Sequence, residues 1–255
     1  MNPLLSAAQR AFDETEFYGS VYPCRPTCLD EIPFINHSHY HQAMGILDCI
    51  TDRSEVSGAL AAYHRNVRKF PFNIVEGETE QQQRHKRLIH ALSVLGITSE
   101  ISMKFLLIAD DASGPFAGEL ATCLAWEHHQ ASIVFHHGSD AQLHEDITCY
   151  KPDYLLNVST FSSETALEGL AQEIINVHHV DHCIPDKENL LLACDEIGIF
   201  ACRKGPSDPF VYDRENLLIE TNPQSRLPAL TTQNFRIAPF IRYSPGQYQT
   251  KFDAS

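Results

Sequence analysis

Cysteine and histidine side chains cluster between residues 178 and 202, where they could together bind a metal ion. The segment HHVDHC contains His182 and Cys183, and Cys194 and Cys202 follow further along the chain. Thiolate sulfur and imidazole nitrogen atoms are the ligands of structural zinc sites. A zinc ion that joins these loops is therefore one interpretation, and ordinary polar loop residues are the other.

A second group of such side chains lies near the start of the chain. The segment HSHYH places histidines at alternate positions, and Cys24 and Cys28 precede it. The histidines would share one side of an extended segment, but in a helix they would point in different directions. The Cys-x3-Cys spacing is also looser than the paired Cys-x2-Cys of many zinc sites. Zinc binding here therefore depends on the local conformation.

The acidic pair Asp195 and Glu196 directly follows the apolar segment LLLAC. Ligands of open α/β sheets bind beyond the carboxyl ends of the strands, so this position indicates a ligand site, with a solvated turn as the alternative. Other chemistry is not indicated. Ser162 and Ser163 lie outside any G-x-S-x-G sequence and are expected to cap a helix, and neither G-x-G-x-x-G nor a Walker loop occurs.

The composition restricts the class of protein. The 255 residues suffice for one large domain or two small ones, and the formal charge of −14 argues against a nucleic-acid binder. The basic cluster from Arg84 to Arg87 is interpreted as a solvated helix face. There is neither an apolar run of about 18 residues nor a secretory signal. We therefore expect a cytoplasmic protein without a membrane span, whose eight cysteines are reduced thiols.

The N-terminal part of the chain has the apolar spacing of helices. This spacing predicts helices over residues 3–20, 38–49, 54–70 and 81–95, and Gly96 is the expected C-cap of the last.

From Lys104 onward, short apolar runs alternate with amphipathic segments. The predicted strands are KFLLIAD, ASIVFHH, DYLLNVS and LLLACDE, and the predicted helices between them are GPFAGELATCLAWEHH, SDAQLHEDITCY and SSETALEGLAQEIINV. This alternation predicts crossover units and a mainly parallel sheet. After Glu196, the segments GIFACRK, PFVYDR, NLLIETN, LPALTTQ and PFIRYS predict a small antiparallel sheet. The predicted fold class is α/β: N-terminal helices, a mostly parallel sheet with flanking helices, and a small antiparallel β subdomain.

Four stretches together resemble the N-terminal domain of adenylate-forming enzymes, in particular the phenylacetate-coenzyme A ligase family. They are FDETEFYGSVY with LDEIPFINHSHY, HALSVLGITSE with LLIADDASGPFAGE, LACDEIGIFA, and LLIETNP with LPALTTQ and APFIRYSPGQ. The resemblance spans nearly the whole chain and depends on the order and spacing of these stretches. It implies three parts, residues 1–98, 99–199 and 200–255, without the lysine-bearing C-terminal domain of the family.

The resemblance also implies roles for individual residues. Enzymes of this family use ATP and Mg²⁺ to convert a carboxylic acid into an acyl-adenylate and then pass the acyl group to a thiol. Glu196 matches the glutamate that reaches Mg²⁺, with Asp195 beside it, and Arg242 matches the arginine of the family's RY motif. Gln247 stands where the family has the aspartate that binds the ribose; an amide forms hydrogen bonds but carries no charge. Some relatives carry a structural metal near the segment that corresponds to HHVDHC.

The phosphate loop of the family corresponds to IVEGETEQQQ in this chain. Such loops hold phosphate through backbone N–H groups on small residues, helped by hydroxyls and a lysine. This chain keeps Gly77 and Thr79 but adds Glu76, Glu78 and Glu80, whose charges would repel a triphosphate. The simpler interpretation is the acidic first turn of the following helix, which the helix dipole favours.

Three functions are compatible with these residues. The preferred one is a degenerate homologue that cannot activate a carboxylate alone and binds an aryl or fatty carboxylate, an acyl carrier protein or a partner ligase. The second is a ligase that uses ATP or AMP with Mg²⁺ and Glu196, completed by a lysine from another chain. The third is a zinc-stabilised structural protein. A homodimer is compatible with each. Any acyl pocket is expected between residues 110–114, the segment after Val158, and the Asp195–Glu196 turn.

Overall fold

The computed structural model describes residues 2–43, 45–51, 63–65, 74–136, 140–159, 167, 169–179, 185–235, 237 and 239–245. A six-stranded sheet that is mostly parallel and a four-stranded sheet organise these residues, with helices against the larger sheet. The predicted α/β fold class is confirmed. None of the described helices is long and apolar enough to cross a membrane.

The helix predicted over residues 3–20 divides into two helices at Thr15. These are α1 (Pro3–Glu14) and α2 (Glu16–Val21). The Thr15 backbone is extended, and its side-chain oxygen accepts a hydrogen bond from the backbone N–H of Tyr18 at 3.1 Å. Threonine caps helices in this way, and the cap starts a second helix in a new direction.

The helix predicted over residues 38–49 is wrong. Strand β1 (Ile35–Asn36) is followed by two short 3-10 helices, His37–Gln42 and Ile46–Cys49. The Asn36 side chain accepts a hydrogen bond from the N–H of Ser38 at 3.0 Å and so caps the first of them. Asparagine competes with helical backbone bonding in this way.

Most of the helix predicted over residues 54–70 lies outside the described residues. Within it, Tyr63–Arg65 forms strand β2, so the prediction is wrong there. β2 pairs antiparallel with β3 (Ile74–Glu76).

The helix predicted over residues 81–95 is confirmed and begins earlier. It is α3 (Glu78–Val94), so the acidic residues at 78 and 80 form its first turn, as predicted. Gly96 has a φ of +90°, a left-handed conformation that glycine adopts without strain just after a helix.

The large sheet carries the parallel strands that the alternating pattern predicted. Its strands are β4 (Lys104–Ala109), β5 (Gln130–Phe135), β6 (Tyr154–Asn157), β7 (Glu173–His179), β8 (Leu190–Cys194) and β9 (Gly198–Arg203). Their spatial order is β5-β4-β6-β7-β8-β9, and all are parallel except β9. Helices α4 (Gly114–Trp126) and α5 (Asp140–Tyr150) follow β4 and β5. The carboxyl ends of the five parallel strands therefore all lie at the same end of the sheet.

The helix predicted over SSETALEGLAQEIINV is wrong in its second half, where β7 lies. Ile175 and Val177 pack into the core on the face of the sheet that α3 and α4 cover, while Ile174 packs on the opposite face with α5. A strand with both faces covered reads as a continuous apolar run, and that pattern resembles a buried helix. Ser162 and Ser163 lie outside the described residues.

The small sheet includes a strand from the start of the chain. β10 (Leu217–Thr221), β11 (Pro228–Thr232) and β12 (Tyr243–Ser244) form its antiparallel part, and β1 pairs parallel with β12. The segment GIFACRK, predicted to belong here, is instead β9 of the large sheet. One hydrophobic cluster joins α1, α2 and the small sheet to β8 and β9, and this packing places the small sheet beside the turn after β8.

Candidate functional site

Helix α3 holds the turn that follows β8. Arg84 and Arg87 lie three residues apart, so they share one face of the helix. The Nη2 of Arg84 donates to the carbonyls of Asp195 at 2.6 Å and Glu196 at 2.9 Å, and the Nη2 of Arg87 donates to the carbonyl of Ile197 at 2.6 Å. The two guanidinium groups therefore fix three successive carbonyls of this turn.

The close approach of Arg84 requires a glycine at position 198. Gly198 has a φ of +85°, and a Cβ there would lie 2.5 Å from the Nη1 of Arg84. A side chain would thus be strained by the backbone and would also collide with the guanidinium.

Arg84 forms a buried ion pair with Glu76. Its Nε donates to Oε1 of Glu76 at 2.7 Å, and the two side chains are only 3% and 4% exposed. The carboxylate of Glu119 lies 3.6 Å from Nη1. Burial opposes the charge of Arg84, but the carboxylates of Glu76 and Glu119 outweigh it and hold the pKa of Arg84 above its ordinary value. Arg84 is therefore a fixed cation at neutral pH.

Glu80 uses its carboxylate to tie the start of α3 to the small sheet. One oxygen accepts a hydrogen bond from the backbone N–H of Gly77 at 3.1 Å, and the other accepts one from the backbone N–H of Ile237 at 2.6 Å. About one helical turn later, the Gln83 amide donates a hydrogen bond to the carbonyl of Asn234. A capping carboxylate thus occupies the N–H of Gly77, which the resemblance assigns to phosphate.

Glu196 lies in the interior, 3% exposed, and accepts a hydrogen bond from the hydroxyl of Tyr243 at 2.7 Å. Burial raises the pKa of Glu196, although the Tyr243 hydroxyl opposes the rise. The side chain predicted to reach Mg²⁺ is therefore engaged within the protein.

A small cavity lies between these groups, with room for about one water molecule. Three carboxylates, those of Glu76, Glu80 and Glu196, line it together with Arg87. Arg87 is 4% exposed, and the described residues offer no hydrogen-bond acceptor to its Nε or Nη1. Burial and the neighbouring Arg84 charge lower the pKa of Arg87 to about 10, so it is still a cation at neutral pH.

A triphosphate does not fit the start of α3. The N–H of Gly77 is already bonded to Glu80, the guanidinium of Arg84 is bonded to Glu76, and the cavity beside them is far smaller than a nucleotide. A triphosphate would also meet buried carboxylates, and charges of like sign repel more strongly in a low-dielectric interior than in water. The described residues therefore do not provide an ATP–Mg²⁺ site here.

The other residues assigned to a cofactor lie apart from this cluster or outside the described residues. Asp195 directs a half-exposed carboxylate outward, and its Oδ1 lies 3.4 Å from Nδ1 of His179. Thr79 is partly exposed in the first turn of α3. Gln247 lies outside the described residues. The cofactor roles of these residues stay predictions.

Arg242 joins the small sheet to the N-terminal segment. Its guanidinium forms two hydrogen bonds of 3.0 Å with the carboxylate of Glu220 and donates to the carbonyls of Leu29 and Ile32 at 2.8 and 2.7 Å. It also lies 4.7 Å from the ring centre of Phe34. These contacts give Arg242 a structural role at this junction.

The cysteines proposed for zinc lie in separate parts of the core. Cys194 packs in the cluster with α1, α2 and the small sheet, whereas Cys202 packs on the opposite face of the large sheet. Burial raises the pKa of the Cys194 thiol and raises that of Cys202 to about 12, which disfavours the thiolates that bind zinc. The structure thus does not bring these two ligands together, and His182 and Cys183 lie outside the described residues.

The N-terminal group also lacks a metal site in the part of the chain that is described. No set of three or more histidine, cysteine, aspartate or glutamate side chains is arranged there to hold an ion. His39 instead takes part in the cap of the first 3-10 helix through Asn36. Cys24 and Cys28 are exposed free thiols.

The interpretation of the basic cluster as a solvated face is wrong for Arg84 and Arg87. Both are buried, and both bond to the turn after β8. Their spacing from Leu88 and Ala91, which share the buried face of α3, is the signal that could have shown it.

The residues expected around an acyl pocket lie at the carboxyl ends of the parallel strands. Asp110, after β4, accepts hydrogen bonds of 2.8 Å from the N–H and the hydroxyl of Ser113. After β6, the Ser159 hydroxyl donates to Asn157 at 2.9 Å. His179, at the end of β7, contacts the ring of Phe116 with 4.7 Å between ring centres. These groups lie at the carboxyl ends of β4, β6 and β7, and His179 is the one that contacts Asp195.

Comparison with known proteins supports this architecture. No family model matches the chain, and no curated protein matches it. Solved structures of 2-hydroxyisobutyryl-CoA ligase do match, over 95% of this chain. An open conformation in complex with 2-HIB-AMP and CoA gives a TM-score of 0.64 at 11% identity, and a postadenylation state with 2-HIB-AMP gives 0.65 at 12%.

The chain shares the fold of the matching part of these ligase chains. It spans 66% of the length of the first of these ligase chains and 60% of the other. Identity at this level shows the fold alone, which agrees with the resemblance to adenylate-forming enzymes. The phenylacetate branch stays a prediction.

Burial of Glu196 leads to a pH-dependent prediction for Glu196→Gln. Because the folded-state pKa of Glu196 is raised above its ordinary value of 4.5, the protonated side chain contributes stability that is complete below pH 4.5. That contribution is lost as the pH rises through the folded-state pKa. The glutamine is neutral over this whole pH range and can still accept a hydrogen bond from the Tyr243 hydroxyl.

We therefore expect wild type to lose stability relative to Glu196→Gln between pH 4.5 and neutral pH, as measured by urea unfolding. Glu100→Gln, which neutralises an exposed carboxylate, is the control. A difference between wild type and Glu196→Gln that does not change with pH would contradict this account of Glu196.

Proposed function

We propose that this chain is a degenerate homologue of the adenylate-forming ligases that binds a carboxylate or acyl group and does not activate it with ATP on its own. The observation that supports the proposal is the buried Arg84–Glu76 ion pair, which together with Glu80 lies in and beside the stretch that the resemblance assigns to the phosphate loop. The backbone N–H of Gly77 and the Nε of Arg84 already form hydrogen bonds within the protein.

The proposed ligand is an aryl or fatty carboxylate that binds at the carboxyl ends of the parallel strands. His179 supports this placement because its imidazole is a hydrogen-bonding group at the carboxyl end of β7, beside the apolar ring of Phe116. Asn157, the last residue of β6, and Ser159, just after it, add polar groups there. An acyl carrier protein or a ligase partner would deliver or receive the acyl group, and the division into residues 1–98, 99–199 and 200–255 is part of this proposal.

A second candidate is an enzyme that activates a carboxylate together with another chain. The retention of Glu196 at the turn after β8 favours it, because this glutamate matches the one that reaches Mg²⁺ in the family. Glu196 would have to leave the Tyr243 hydroxyl and the interior to act in this way. Nothing in the described residues favours the third candidate, a zinc-stabilised structural protein.

A thermal-shift screen tests the proposal directly. We expect an aryl or fatty acid to raise the melting temperature and ATP with Mg²⁺ to leave it unchanged. His179→Ala should abolish the response to the acid, whereas His144→Ala, which alters an exposed histidine on α5, should not.

Carboxylate-dependent exchange between ATP and pyrophosphate separates the two candidates. We expect none with any acid that binds. Exchange that is lost in Glu196→Gln would overturn the proposal in favour of the second candidate. A screen in which no carboxylate shifts the melting temperature would reject ligand binding itself.

A further inference from the structure

Strand β5 forms one edge of the large sheet, and one side of its backbone has no partner strand among the described residues. The N–H of Gln130 donates to the carbonyl of Met103, and the N–H of His136 to that of Ala109, both at 2.9 Å. Because successive residues of a strand point their backbone groups to opposite sides, the intervening odd-numbered residues face away from β4. The N–H and C=O groups of Ala131 and Ile133 are therefore available at this edge.

The opposite edge of the sheet, strand β9, is partly paired with another segment of the chain. There, Cys202 of β9 exchanges two backbone hydrogen bonds with Val211, at 2.9 and 2.8 Å. Part of that edge is therefore covered by the chain itself, which leaves β5 as the better candidate for pairing with another strand.

The sequence of β5, QASIVF, lacks the features that usually protect an edge strand. Natural edges carry charged residues, proline or a bulge, or they are covered. β5 has no charged residue and no proline, and its side chains from Ala131 to Val134 are only partly buried. In a chain with a formal charge of −14, an uncharged edge is a place where two copies can meet without strong repulsion.

The residues of β5 are also complementary to themselves. In an antiparallel pair centred on Ile133, Ala131 of one copy lies opposite Phe135 of the other, so a small side chain faces a large one. Phe135 is 46% exposed, and its ring packs on Gly114 at the start of α4, on the same face as Ala131 and Ile133. The outward N–H and C=O groups of Ala131 and Ile133 then lie in register to bond across the pair.

We propose that β5 is a dimerisation strand that pairs antiparallel with β5 of a second copy of this chain. The twofold axis passes through Ile133, and the two large sheets become one continuous sheet. In a closed, isologous contact of this kind, the β5 strands of the two copies pair with each other, so the contact does not extend into a fibre. This inference is independent of whether the chain binds nucleotide.

Sedimentation equilibrium of the intact chain tests the proposal. We expect a reversible dimer, and we expect Ile133→Pro to weaken dimerisation about tenfold or more. Proline at this position removes an outward N–H that the monomer does not use, and edge strands tolerate proline in that orientation. Ile133→Val is the matched control and should dimerise like wild type. Circular dichroism and thermal melting establish that Ile133→Pro is folded.

Hydrogen exchange of the wild-type chain provides a second measurement that needs no variant. We expect protection of the amides in residues 130–135 to increase with protein concentration. A wild-type chain that stays monomeric at every concentration would overturn the proposal. So would a dimer that a folded Ile133→Pro variant leaves intact, or protection that is independent of concentration.

Discussion

Arg84→Ala will lower the free energy of unfolding by about 3–5 kcal/mol, the usual cost of removing one partner from a buried ion pair. Glu76 is only 3% exposed, so the substitution leaves its carboxylate buried without the guanidinium that pairs with it. It also removes the donor to the carbonyls of Asp195 and Glu196. The loss is large because neither Glu76 nor these carbonyls can regain contact with water while the fold persists.

Urea unfolding at neutral pH measures this loss. Arg25→Ala is the matched control, because Arg25 pairs with Asp13 on the exposed surface, and its removal should leave the midpoint unchanged. The double variant Arg84→Met with Glu76→Leu should recover much of the loss, since well-packed apolar side chains often replace a buried ion pair without cost. A single variant as stable as wild type would show that the ion pair does not hold the site together.

Glu80→Ala is the second substitution with a large expected effect, a loss of about 3 kcal/mol, because hydrogen bonds to a charged acceptor contribute about 1.5–3 kcal/mol each. The change removes the acceptor from the N–H of Gly77 and from the N–H of Ile237 at once. Both donors are buried, so the loss should appear as a lower free energy of unfolding and as weaker attachment of the small sheet to α3.

Glu78→Ala is the control for Glu80→Ala, because Glu78 lies in the same first turn of α3 but is exposed. Its removal alters the interaction with the helix dipole and should cost much less. Chemical denaturation measures both variants, and hydrogen exchange near residue 237 reports the attachment of the small sheet. Equal losses for the two variants would contradict the role assigned to Glu80.

Much of the fold could be predicted from the sequence because its signals are local. The runs KFLLIAD and LLLACDE are apolar throughout and are bounded by turn residues, so they predict buried strands, and both are confirmed. Gly96 and the acidic first turn correctly predicted the end and start of α3. Local patterns failed where tertiary contacts decide. EIINVHH continues an apolar helical pattern, yet its pairing with two parallel strands makes it β7.

The candidate site could be predicted only in part. The three glutamates after Ile74 predict that phosphate binding is disfavoured, because like charges in one loop repel, and this stays a prediction. The partners of those glutamates come from distant parts of the chain. Arg84 looked like a surface residue because arginine is usually exposed, and the turn that it binds is far away in sequence. Likewise, Tyr243 bonds Glu196 only because β12 packs beside the turn after β8.

Isothermal titration of the chain with ATP and Mg²⁺ is the measurement that tests the central claim most directly. If the Arg84–Glu76 pair and Glu80 have taken the place of the phosphate loop, no heat of binding should be detected at nucleotide concentrations that saturate ordinary ATP-dependent ligases. Saturable binding of ATP that weakens in Arg84→Ala or in Glu196→Gln would contradict the account, because it would mean that this site still receives the nucleotide.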